Sequence, residues 1–231
     1  MAQGGFTATL TVFEGEENVL RAFSDRPHPD EINKELGSRY EILDTSIKKY
    51  PGGQPMQATL EGYFRLVKEH GIKGQEQIQK IVVRLPDSQA RTINDRHMPD
   101  VNCQYLLSVA MIDGKIDFEN SHDFQRMRDP QVLELKKRVQ IVADTELTKR
   151  HPAVRSAIVE IATVDGRHLD ILIDRLPGAP YNPLSAEEVE EKFLSLSHGV
   201  LGDSRAHSVV QATRNLEDLP EVGVLAGLLR I

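Results

Sequence analysis

Tryptophan is absent from this 231-residue chain, and phenylalanine and tyrosine bring aromatics to only 5%. That leaves little for stacking bases and argues against a single-stranded nucleic-acid platform. A surplus of positive charge is missing as well. Lys and Arg number 28 against 35 Asp and Glu, a net charge of -7, whereas nucleic-acid binders usually carry a basic face. No apolar run approaches the length of about 18 residues that a membrane-spanning helix needs. The opening "MAQGGFTATL" has neither the cationic stretch nor the apolar core of a secretory leader. Cys103 is the single cysteine, so no internal disulfide forms and a thiolate metal site within one chain is disfavoured. These absences point to a soluble cytoplasmic protein, with no nucleic acid and no membrane among its partners. Its 39% hydrophobic content suffices for one or two domains with real cores.

Helical patterns occupy both ends and a mixed pattern the centre, which predicts an α+β fold. "GEENVLRAFSDRPHPDEINKELG" reads as two helical pieces interrupted by its prolines, with Val19, Leu20 and Phe23 on the apolar side of the first. "YEILDTSIKKY" reads as a strand, because Leu43, Thr45 and Ile47 alternate. After Gly53, the spacing of Met56, Leu60, Phe64 and Val67 predicts an amphipathic helix, closed by the glycines of "HGIKG". "IQKIVVRLP" reads as a second strand, "DSQARTINDRHMPD" as a polar loop, and "VNCQYLLSVAMIDG" as a buried helix. A short helix with Pro130 in its first turn follows, then a strand at "VQIVAD" and a hairpin turning on Asp165-Gly166. Beyond Gly178, Ser185 and Glu188 form a capping box. They open a helix whose buried side is Val189, Phe193 and Leu196, and two more helices complete the chain.

Two stretches could carry chemistry. In "SIKKYPGGQPM", Lys48 and Lys49 precede a Gly52-Gly53 turn and a helix start. The free amides and partial positive charge of a helix N-terminus suit a carboxylate or phosphate. The competing reading is a solvated turn, since "KKYPGG" matches no phosphate-loop spacing. In "RTINDRHMPD", Arg91 and Arg96 offer carboxylate forks and His97 a proton carrier. The competing reading is a surface loop in which Asp95 and Asp100 pair with those arginines, or Asp100 caps the next helix. The remaining histidines, including His122, His168 and His198, show no metal-ligand spacing and read as surface or capping residues. Cys103 reads as an inert core residue.

Seven segments taken together resemble the MmgE/PrpD family of 2-methylcitrate dehydratases, cis-aconitate decarboxylases and iminodisuccinate epimerases. They are "GGFTATLTVFEGEENVLRAF", "SIKKYPGG", "QKIVVRLP", "DVNCQYLLSVAMIDGKID", "DPQVLELKKRVQIVAD", "NPLSAEEVEEKF" and "NLEDLPEV". The resemblance implies a helical domain with an α+β domain inserted near its end. The active site lies between them and uses neither metal nor organic cofactor. Residues 1–36 would then be the last helices before the insertion, 37–180 the α+β domain and 181–231 the return to the helical domain. The main helical body would be missing, so the chain resembles the C-terminal part of such an enzyme.

The resemblance also implies site residues. Lys48 matches the lysine of the family's K-x-[YF]-P segment, which makes an anion site the favoured reading of that turn. Lys48 and His97 are the expected catalytic groups, with Lys49, Tyr50, Gly52, Gly53, Gln57, Arg91 and Arg96 around the substrate. Three departures stand out. Gly52 and Gly53 follow the proline where members carry Cys or His. Gln57 stands where members often have His, and Ala90 where the decarboxylases place a Tyr. Neither Gln nor Ala transfers protons near neutral pH, which argues against decarboxylation of cis-aconitate. The expectation is therefore a hydro-lyase- or isomerase-type enzyme for a small di- or tricarboxylate, 2-methylcitrate dehydratase-like and incomplete alone. A helical partner or a second copy would complete it, with a dimer as the simplest assembly. The alternative is a non-catalytic subunit or carboxylate-binding module that completes or regulates a helical partner. The same architecture predicts that the helices before Gly37 pack on those after Ser185.

Overall fold

The computed structural model describes residues 2–230, in two units, Met1–Asp44 and Thr45–Ile231. In the first unit, helix α1 spans Val19–Phe23, and the Asn18 side chain caps it by accepting from the Leu20 and Arg21 amides. Val19 and Leu20 are half-buried and Phe23 is 87% exposed. The second expected helix shrinks to a 3-10 turn at Pro29–Ile32, because Pro29 starts it and Glu35 adopts a positive φ of 57° soon after. The strand expected over 40–50 does not form. Glu41–Asp44 is a 3-10 turn, and alternation without a neighbouring strand to pair with leaves Leu43 exposed.

The second unit holds helix α2 (Gln54–Glu69), strand β1 (Ile78–Leu85), helix α3 (Asp87–Ile93), helix α4 (Cys103–Asp113), the single turn α5 (Phe118–Ser121) and helix α6 (Pro130–Lys136). Strand β2 (Val139–Ala143), helix α7 (Thr145–Arg150), strands β3 (Ala157–Thr163) and β4 (His168–Ile173), and helices α8 (Ala186–Leu201), α9 (Asp203–Arg214) and α10 (Gly223–Leu228) follow. Most expected elements are therefore present, in a fold of the α+β class. One correction is α3, which turns the first half of the expected polar loop into a helix. Ala90 and Ile93 give it a buried side.

The sheet order is β2-β1-β3-β4. β1 pairs parallel with β2 and antiparallel with β3, and β3 and β4 form the hairpin read from Asp165-Gly166. The turn is closed by the Thr163 amide donating to the Arg167 carbonyl, and Gly166 supplies the left-handed φ of 86°. A bulge between Ile78 and Lys80 resets the alternation. It lets Ile78 face the core along with Ile81, Val83 and Leu85. The core lies between this sheet face and α2 and α4. α4 is apolar all round, as its pattern implied, and buries Cys103, Tyr105, Leu106, Leu107 and Val109 completely. Burial pushes the Cys103 thiol well above its ordinary range, so it packs as a small apolar group.

α2 can lie close on the hairpin because of Gly62. A Cβ added there would stand 2.7 Å from Val159 Cγ2 and 3.3 Å from Ile171 Cγ2. Ala would gain roughly 1 kcal/mol of helix propensity but would overpack this contact at a cost of about 1–3 kcal/mol. Gly62→Ala is therefore expected to destabilise the fold by up to about 2 kcal/mol. An unchanged urea midpoint would show that α2 can lift off the sheet freely.

A polar clamp closes the other side of α4. Arg126 grips Asp113 with two bonds, of 2.6 and 2.5 Å, and Asn120 donates to the same carboxylate at 3.0 Å. The Arg126 bonds hold Asp113 below the usual carboxylate range. Because the folded state binds this proton less tightly than the unfolded chain, the stabilisation is full above the ordinary aspartate value. It is lost as pH falls through the depressed one. Asp113→Asn should cost about 1–2 kcal/mol at neutral pH, and the gap from wild type in urea melts should shrink as pH falls below the ordinary aspartate range. A gap independent of pH would assign the loss to shape.

Candidate functional site

The turn at 48–53 is held from beneath by one face of α2. Gln57, Glu61 and Phe64 stand at i, i+4 and i+7 and so face the same way. The Gln57 amide closes a pair of bonds with the Tyr50 backbone. Its oxygen accepts from the Tyr50 amide at 3.0 Å, and its nitrogen donates to the Tyr50 carbonyl at 2.9 Å. Glu61 accepts from the Tyr50 hydroxyl at 2.9 Å and from Lys49 Nζ at 3.2 Å. The Phe64 ring stacks on Tyr50 at 5.6 Å between centroids. Burial, and next the Glu61 charge, raise the Tyr50 hydroxyl far above its ordinary value, so it stays a neutral donor. Three further hydrogen bonds and one close approach fix the turn. The Gly53 amide donates to the Asp100 carbonyl at 2.9 Å. A Cβ on Gly52 would lie 3.2 Å from the same oxygen. Upstream, the Ile47 amide donates to the Gly178 carbonyl at 2.8 Å. From α8, Lys192 Nζ donates to the Lys48 carbonyl.

This turn forms one wall of a cleft of about 540 Å³. Lys48, Lys49, Tyr50 and Gly52 line it, and so do Asp100, Asp117, Phe118, His122 and, from α8, Glu188, Glu191 and Lys192. Lys49 is engaged by Glu61 and, at 3.8 Å, by Glu188. Lys48 is exposed and has no ion-pair partner among the described residues. Lys192 is partly desolvated, and this, with the Lys48 charge second, lowers its pKa below the usual lysine value.

Four of the nine expected site residues thus line one cleft, and five do not. Gly53 is spent as the N-cap of α2, and its amide already has a carbonyl partner. Pro55 in the first turn removes another donor. The lysines, rather than the helix amides, therefore carry the cleft's positive charge. Gln57 is 2% exposed, with its amide consumed in holding Tyr50, so its place is beneath the turn and not against a ligand. Arg91 pairs with Asp87 at 2.6 Å on the surface.

Arg96 and His97 are exposed because their loop is bonded inward through its backbone. Asn102, fully buried, donates to the Arg96 carbonyl, and Gln104 accepts from the Asp95 amide at 3.0 Å. Asp95 pairs with Lys136 at 2.6 Å, not with an arginine. Asn102, not Asp100, caps α4 by accepting from the Tyr105 amide. Sequence reasoning missed His122 and Lys192 as cleft residues. Both are distant in sequence from the lysine turn, and neither sits in a spacing that signals chemistry.

Residues 50–218 match the MmgE/PrpD C-terminal domain. The chain is 30% identical over 172 residues to human (Homo sapiens) cis-aconitate decarboxylase, covering 71% of this chain and 34% of that protein. It is 29% identical over 160 residues to the mouse (Mus musculus) protein of the same description, covering 67% and 32%. The chain thus spans about a third of the length of the curated relatives it matches. The match runs from the Tyr50 anchor of the lysine turn through the sheet to the turn after α9, taking in nearly all of the cleft's lining, and on this ground the chain belongs to the MmgE/PrpD family.

Proposed function

We propose that the chain supplies the carboxylate-holding wall of an MmgE/PrpD-type lyase or isomerase that acts on a small di- or tricarboxylate. The observation that carries the reading is Lys48. By its resemblance to the family's K-x-[YF]-P segment it stands where members have a lysine, it has no ion-pair partner among the described residues, and it lines a cleft on a turn fixed by α2 and Lys192. A cation held this way stabilises a substrate carboxylate, and the negative charge that develops when a neighbouring proton leaves. Among the family's reactions, a hydro-lyase of the 2-methylcitrate type fits better than decarboxylation. Gln57 is locked in a structural role, and Ala90 is a buried apolar residue of α3. Groups for full proton transfer would come from a helical portion of the enzyme that the matched third of the relatives does not contain. In this reading residues 1–36 and 181–231 are parts of that helical domain. The exposed apolar side chains of the last helices, among them Leu196, Val200 and Val224, favour a helical partner or a second copy.

A second reading, a non-catalytic carboxylate-binding subunit, is favoured by the same engaged Gln57. It differs from the first only in whether a completed assembly turns over substrate. Both readings predict that citrate raises the melting temperature of the chain, that Lys48→Ala removes most of the rise, and that Lys73→Ala does not. Equal responses in the two variants would indicate nonspecific ionic stabilisation and overturn both.

A further inference from the structure

His122 is the one histidine among the cleft's lining residues, and its ring is held in a defined tautomer. Nδ1 lies 2.8 Å from the Phe118 carbonyl and 2.9 Å from Ser121 Oγ, while Ser121 Oγ itself donates to that carbonyl at 3.0 Å. A carbonyl oxygen only accepts, so Nδ1 must carry a hydrogen. In the neutral ring this leaves the lone pair on Nε2. The ring also stacks on Phe118, with centroids 4.3 Å apart. Nε2 has no hydrogen-bond partner among the described residues, and both rings line the cleft.

With this ring neutral, the cleft and its paired neighbours carry one negative charge in excess. Lys49 is taken up by Glu61 and Glu188, and Asp117 is paired with Lys115 at 2.8 Å. Of the lining groups without an ion-pair partner among the described residues, two are cations, Lys48 and Lys192, and two are carboxylates, Asp100 and Glu191. Tyr50 stays neutral because its hydroxyl is raised far above the working range. Those two cations and two carboxylates cancel, so the charge left over where Lys49 is shared between Glu61 and Glu188 opposes an entering anion. A proton on Nε2 of His122 offsets that charge, and it also makes Nε2 a charged donor.

We propose that His122 couples carboxylate binding in this cleft to the uptake of one proton. The neutral ring takes a proton from solvent at Nε2 as the anion enters, and Nε2–H then donates to the carboxylate beside Lys48. The inference rests on the reading of the cleft as a carboxylate site.

Calorimetric titration of the whole chain with tricarballylate, in two buffers of different ionisation enthalpy, counts the protons taken up. Uptake of up to one proton is expected near neutral pH, with affinity weakening roughly tenfold at alkaline pH. His122→Asn keeps a donor for the Phe118 carbonyl but has no Nε2. It should still bind, with no uptake from this ring and a flat pH profile. Nitrogen shifts of the wild-type ring should report the Nδ1–H tautomer without ligand and the doubly protonated ring with it. Wild-type uptake persisting unchanged in His122→Asn, while Lys48→Ala abolishes binding, would overturn the role of His122 and leave the carboxylate site standing. No saturable binding by wild type, or equal binding by Lys48→Ala, would overturn the site itself and the inference with it.

Discussion

Gly178→Ala is expected to lower the melting temperature by about 5–15 °C and to erase the thermal response to citrate. Gly178 has a φ of +81°, and a Cβ built on it would fall 1.8 Å from the Ile47 carbonyl oxygen. The left-handed backbone costs a non-glycine residue roughly 1–2 kcal/mol, and the clash adds about 1–3 kcal/mol or more. The obstacle is a main-chain atom, so no side-chain rotamer relieves it. The chain's one escape is to move the Ile47 segment away, which breaks the bond from the Ile47 amide to the Gly178 carbonyl. That segment leads directly into Lys48. Either response therefore damages the cleft, through global destabilisation or through displacement of the lysine turn. A variant that melts like wild type and still responds to citrate would show that the turn is positioned by α2 and α8 alone.

The second large effect concerns catalysis. Turnover of a tricarboxylate by this chain alone should lie several orders of magnitude below that of an assembly completed by the helical portion. Each missing positioned acid or base typically costs about 10²–10⁴-fold, and an open cleft also fails to exclude water. The cleft offers cations and one imidazole, but Gln57 cannot serve as base and His97 lies outside it. Exposed apolar side chains on the last helices should also drive association on a sizing column. Rapid turnover by the purified monomeric chain would place a complete site within these residues and sink this part of the account.

Much of this fold was legible because local pattern and tertiary packing agree. The capping box at Ser185 and Glu188 forms as read, and so do the Asp165-Gly166 hairpin and the all-apolar α4. Pattern failed where tertiary pairing decides. Leu43, Thr45 and Ile47 alternate like a strand, yet Ile47 makes a single bond to Gly178 in place of a ladder. The polar "DSQARTI" hid a helix because its buried side is small and partly polar, made of Gln89, Ala90 and Ile93.

The candidate site was legible only on its lysine side, where sequence neighbours share a turn. His122 and Lys192 reach the cleft from α5's end and from α8, a convergence set by the sheet and its crossovers and invisible in spacing. The reverse holds for His97, Arg91 and Arg96. Their residue types suggested chemistry, but Asn102 and Gln104 bind their loop inward by its backbone and leave those side chains facing out.

The central claim is that a carboxylate binds between Lys48 and the wall formed by His122 and Lys192. Titrating the isotope-labelled chain with tricarballylate, and mapping the amide and ring shifts, tests it most directly. The account predicts saturable shifts clustered at Lys48–Gly52, His122 and Lys192, and their loss in Lys48→Ala. Shifts scattered over surface lysines such as Lys73 and Lys80, or a cluster that survives Lys48→Ala, would contradict it.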